Sequence, residues 1–290
     1  MGWLAKIPIR PTFDTDDGGT SLAAMQKPVE IARRFNALTL RARILCAGGG
    51  ALALLIIAFG GYKVYEHQAT DGVGFVDADH FEIAEDTPIP EKKKLFFDTL
   101  RPIVEAENAR VQAERESILA ARKSGETTDT IDAIAEDYRV DGWTGTEWSR
   151  LLARVDTVPV TLALAQAANE SSWGQSRFAQ QGNNLFGEWC FTEGCGLVPQ
   201  QRTEGKTHEV ADYASVNHSV RSYIHNLNTG SAYAALRKLR QQARAAGQEP
   251  SAMTLASGLA RYSERGLAYV NEIKSMIRAN RDLMLGATDS

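Results

Sequence analysis

A single acid, Glu170, closes an Ala-rich stretch that begins at Val160, and Ser171, Ser172, Trp173 and Gly174 follow at once. Leu162, Leu164, Ala165 and Ala168 give that stretch strong helical propensity, so the acid falls near a helix end, and Gly174 suits the helix C-cap. A carboxyl beside an indole, in otherwise apolar company, is disfavoured in its charged form. Staying protonated is what a general acid needs. By residue type alone Glu170 would be a solvated helix-end glutamate. Its company argues for chemistry: a second loop, Asn183-Asn184-Leu185-Phe186-Gly187, comes soon after, and further acids follow at Glu188, Glu193, Glu204, Glu209 and Asp212.

Other chemistries find little footing. No G-x-S-x-G elbow is present, and no papain-like context surrounds Cys190. The run Gly48-Gly49-Gly50 lies inside an apolar stretch rather than before a phosphate-binding helix. Cys190 and Cys195 are separated by Phe-Thr-Glu-Gly, and Gly194 permits a tight turn. In an oxidising compartment they read as a disulfide; free thiols and a metal pair are the other readings. His208, His218 and His225 show no ligand-like spacing with the pair, so no metal and no cofactor is expected.

The motif A-x-x-E-S-x-W-G ending at Gly174, followed by N-N-L-F-G, resembles the peptidoglycan glucosaminidases of glycoside hydrolase family 73. Within them the chain is most similar to the Bax-like branch, because N-N-L-F-G-E-W-C-F-T-E-G-C-G-L-V-P continues that branch's pattern through Pro199. The likeness goes on through A-D-Y-A-S-V around Tyr213 and R-Y-S-E-R-G-x-x-Y around Tyr262, and spans residues 141–281, about half the chain. The resemblance implies a lysozyme-like helical domain with a small β-hairpin lobe, and cleavage of a β-1,4 glycan bond beside N-acetylglucosamine. Glu170 stands at the family's acid. The second acid of similar enzymes lies on a hairpin before the Tyr motif; Glu209 suits that place best, with Asp212 and Glu188 behind it. Tyr213 matches the Tyr of F-x-x-Y-x-S, although Val210 stands where the family has Phe. It would bind an N-acetyl group or place a water. Trp173 would shape the acid's pocket, Asn183 and Asn184 would hold the loop and reach the acetamido group, and Tyr262 and Tyr269 would line the sugar groove.

The elements that must position these residues are mostly helical. Amphipathic patterns run from Leu95 to about Arg122, from Thr128 to Tyr138 and from Thr146 to Val155. They resume at Val216 to Leu227, Tyr233 to Ala246 and Tyr269 to Leu285. Pro102 marks a kink or the true start of the first helix. Between Gly182 and Tyr213 the helical period gives way to Gly, Thr and Pro, the mark of loop and hairpin. Ahead of all this, no charged residue occurs from Ile44 to Tyr62. As helix at about 1.5 Å per residue that run matches the ~30 Å hydrocarbon core. Arg33, Arg34, Arg41 and Arg43 precede it and acids dominate after it, which places the N-terminus in the cytoplasm.

The expected organisation is a cytoplasmic tail over 1–43, a single transmembrane helix over 44–62 and a linker over 63–91. Packing helices over 92–140 and a catalytic domain over 141–290 complete it. With 32 basic and 36 acidic residues, nothing suggests nucleic-acid binding. The expectation is a hydrolase tethered to the inner membrane, with its catalytic domain in the periplasm and peptidoglycan strands as its partner. The rivals are a lytic transglycosylase, a non-catalytic wall-binding scaffold, and a hydrolase of N-glycans.

Overall fold

The computed structural model describes residues 83–286, apart from 85, 201, 203 and 204. The tail 1–43, the apolar segment 44–62 and most of the linker lie outside the described residues, as does Glu204. Among the described residues no helix is long and apolar enough to cross a membrane.

Helix α1 (Ile89–Ser124) starts six residues before the expected Leu95, so helix replaces the end of the linker. Pro88 stands at its N-cap and Pro90 in its first turn, positions where a missing N–H costs nothing. The helix continues through Pro102 and ends at Gly125, which is left-handed and donates its N–H to Ala121. Phe96, Phe97, Leu100, Ile103, Val104, Val111 and Ile118 form its buried seam. Helices α2 (Asp129–Asp137) and α3 (Trp148–Arg154) follow close to their expected bounds.

Helix α4 (Val160–Glu170) is buried from Leu162 to Ala168. A helix apolar on every side belongs at the centre of the fold, and its alanines let neighbours approach closely. Helix α5 (Arg177–Gly182) was not legible as a helix; it is short, and Ser176 caps it by accepting from the Ala179 N–H. Three short strands come next, β1 (Trp189–Cys190), β2 (Gly196–Leu197) and β3 (Glu209–Ala211). They form an antiparallel sheet in the order β1-β3-β2, so the expected hairpin is a three-stranded lobe with β3 in the middle. Val210 faces both Trp189 and Leu197 in register. Gly196 has no alternative: a Cβ there would lie 2.0 Å from the Val210 carbonyl oxygen.

Ser215 caps α6 (Val216–Thr229), and α7 (Ala234–Ala245), the short α8 (Ala252–Ala256) and α9 (Leu267–Leu285) complete the α-helices among the described residues. Arg240 of α7, 0% exposed, donates to the carbonyls of Asp156, Thr157 and Ala153 and to Asn228 Oδ1. The buried Asp156 carboxylate accepts in turn from Arg244. Arg101 of α1 donates to the Met284 and Leu283 carbonyls, the orphan acceptors at the end of α9.

Candidate active site

Glu170 is the last residue of α4, and the C-cap is Ser171 rather than the expected Gly174. The chain then turns through three left-handed residues in a row, Ser172 (φ 53°), Trp173 (φ 60°) and Gly174 (φ 79°). Glycine adopts this region freely; for the other two it costs roughly 1–2 kcal/mol each. Local bonds and packing hold the turn. Ser171 Oγ donates to the Ala167 carbonyl at 2.7 Å and accepts from the Gly174 N–H at 2.8 Å. The Trp173 indole lies edge-on to Phe96 and Phe97, with centroids at 5.7 and 5.4 Å, and Lys93 Nζ stands 5.0 Å over its ring. The residue expected to shape the acid's pocket thus anchors the acid's turn to α1.

Glu170 is half-buried and faces tyrosines. One helical turn earlier, Gln166 is 0% exposed. Its Oε1 accepts from the Tyr223 hydroxyl at 2.7 Å, and its Nε2 donates to the Tyr269 oxygen at 2.9 Å. An amide nitrogen only donates, so the Tyr269 proton is left for its hydrogen bond to Glu170. Tyr262 stacks on Tyr269 with centroids at 5.3 Å and donates to the Phe186 carbonyl at 3.1 Å. Phe186 stacks on Tyr223 at 3.8 Å, and Tyr233 leans on Tyr262 at 5.8 Å. Burial first, then the Glu170 charge, pushes Tyr262 and Tyr269 well above the usual phenol range. Tyr223 and Tyr233 are raised by burial and by the charges of both Glu188 and Glu170.

Glu188 is therefore the further carboxylate that the fold brings to the tyrosines around Glu170. It is 4% exposed. Its Oε2 accepts from the Tyr213 hydroxyl at 2.7 Å and its Oε1 from Asn226 Nδ2 at 2.9 Å. Asn184 brackets its backbone, accepting from the Glu188 N–H at 2.9 Å and donating to the Glu188 carbonyl at 2.9 Å and the Ala211 carbonyl at 2.8 Å. Asn183, left-handed at φ 49°, donates to the Tyr213 carbonyl at 2.9 Å. Its buried Oδ1 has no hydrogen-bond partner among the described residues.

Glu209 is placed differently. It is 5% exposed and accepts from the Gly196 N–H at 2.8 Å and the Gly194 N–H at 3.2 Å. Gly194 belongs to the loop that the Cys190–Cys195 disulfide closes, with Cα atoms 6.1 Å apart, and Gly196 opens β2 directly after it. The two sulfurs and a Glu209 oxygen lie within 4.8 Å of one another. Bonded to each other, the sulfurs are not thiolate ligands. Glu209 thus clamps the disulfide loop with both oxygens. Asp212 and Glu193 are exposed. Gln166, Ser222, Tyr223, Asn226 and Tyr233 were missed from the sequence. For Gln166 the signal was there: one amide in an otherwise apolar buried run.

The glucosaminidase family model, described as mannosyl-glycoprotein endo-beta-N-acetylglucosaminidase, matches residues 146–282. Protein bax of Escherichia coli (strain K12) is 36% identical over 201 residues, covering 67% of this chain and 71% of that protein. No solved structure matches the chain.

Proposed function

The chain belongs to the Bax-like proteins that carry a glucosaminidase domain, and from that premise we propose that it hydrolyses peptidoglycan. The bond is the β-1,4 linkage on the reducing side of N-acetylglucosamine. Glu170 gives its proton to the leaving oxygen, the role every such cleavage requires. The observation that supports this most is the setting of Glu170: a half-buried carboxyl on a fixed helix end, hydrogen-bonded to Tyr269 and ringed by buried tyrosines. These tyrosines are buried against one another, so they hold the acid in place rather than offer their faces to the sugar. The apolar run 44–62 supports a membrane tether that confines the domain to nearby glycan strands.

The test sets the full-length protein beside Glu170→Gln on purified peptidoglycan, with fragments identified by mass spectrometry after borohydride reduction. Reduced N-acetylglucosamine ends from the unaltered protein alone, with Glu170→Gln slower by about a thousandfold, are the expected result. Reduced N-acetylmuramic acid ends would mean a muramidase, and anhydro ends a transglycosylase. Sacculus binding without fragments would leave a wall-binding protein. The family's description names a glycoprotein, so a high-mannose glycopeptide belongs in the same assay.

A further inference from the structure

A buried carboxylate is costly unless hydrogen bonds replace its lost water. Glu188 is such a group, and a glutamine of the same shape would fill its space without that cost. What the charge does follows from counting protons. A carboxylate only accepts, and a phenol has one proton to give. The Tyr213 hydroxyl lies 2.7 Å from Glu188 Oε2 and 2.9 Å from Ser222 Oγ. The hydroxyl is placed to donate to either, but it has one proton, and the shorter contact to the charged carboxylate takes it. No proton then remains on Tyr213 for anything that enters the site.

We infer that Glu188 is a positioning residue that fixes the hydrogen-bond polarity of Tyr213, so that Tyr213 accepts from an N–H or O–H of the bound glycan. The inference rests on the function proposed above. Burial and the Glu188 charge keep the Tyr213 phenol neutral, far above its usual range. Asn226 holds the other Glu188 oxygen, and Asn184 fixes its backbone from both sides. The Tyr213 hydroxyl, the Asn226 amide and the bracketed main chain hold the carboxylate in one orientation. An amide at position 188 could instead donate to Tyr213 and turn the phenolic proton outward, where it would meet the proton of the ligand.

A double-mutant cycle on the full-length protein tests this. Glu188→Gln, Tyr213→Phe and the double variant are assayed on purified peptidoglycan for kcat and KM, with thermal melts and Glu170→Gln alongside. Each single change should lower kcat about tenfold, the worth of one good hydrogen bond. The double variant should be no slower than Tyr213→Phe, because both losses pass through one hydroxyl. Losses that multiply, or a wild-type rate in Glu188→Gln, would overturn the inference. Should Glu188→Gln fail to fold, the wild type still decides: the Tyr213 hydroxyl proton should give a slowly exchanging downfield resonance that Tyr213→Phe lacks. Its absence would overturn the inference too. Full activity in Glu170→Gln would instead sink the reading it rests on, while the resonance would still test the polarity itself.

Discussion

At the scale of single residues, the site depends on polar groups that the sequence hides. Gln166 joins Tyr223 to Tyr269 across 57 and 103 residues of chain, so nothing local announces it. Replacing it with leucine keeps the volume and leaves two buried hydroxyls without their partner. Each unmet group costs about 1–3 kcal/mol. Gln166→Leu should therefore lose roughly 2–6 kcal/mol in denaturant titration, and activity should fall as well, because Tyr269 loses the bond that orients its proton. Unchanged stability would mean the chain of bonds carries no weight. Glu170 and Tyr213 stood out in the sequence because each sits in a compact local motif. What the Glu209 side chain bonds to was hidden for the same physical reason that Gln166 was missed. Sequence order placed it on the lobe, but only the pairing of β3 with both neighbours shows that its carboxylate faces Gly194 and Gly196.

At the scale of elements, the turn after α4 holds Ser172 and Trp173 in a conformation that glycine adopts without strain. Ser172→Gly should stabilise the protein by about 1 kcal/mol, read as a higher melting temperature. A fall in melting temperature would show that the serine side chain contributes more than its backbone costs. Helix interiors were the legible part, since α2, α3 and α6 lie close to their apolar patterns. Ends were not. Gly174 looked like the helix cap, but Ser171 had already closed the helix by bonding back to Ala167. The first helix seemed to begin where its apolar residues begin, whereas Pro88 and Pro90 start it earlier with residues that face solvent.

At the scale of the whole molecule, the domain buries polar side chains as well as its apolar core. Tyr138, Tyr213, Tyr223, Tyr233, Tyr262 and Tyr269 are all raised above the usual phenol value, with burial the leading cause. The unfolded chain releases these protons near pH 10 and the folded chain does not. The folded state thus binds more protons above that pH, and stability falls as pH rises. Their contribution is complete below pH ~10 and is lost above it. Tyrosinate absorbance should therefore rise in one cooperative step together with the loss of helical circular dichroism. A gradual rise in a still-helical protein would mean the tyrosines are open to solvent.

The bond from Arg101 to the carbonyls that end α9 reaches past stability. Pro90 and Glu91 share a cleft with Asp282 and Leu283, so the beginning and end of the described chain lie side by side. The domain is a ring lacking one covalent link. Its sequence can be cyclically re-ordered: residue 286 spliced to residue 86 through a few glycines, and the ring opened at the exposed, unobstructed Gly247. The groups around Glu170 would stay where they are, while the point at which the chain enters the domain would move to another face. How the domain is presented to its substrate is thus separable from how it is built.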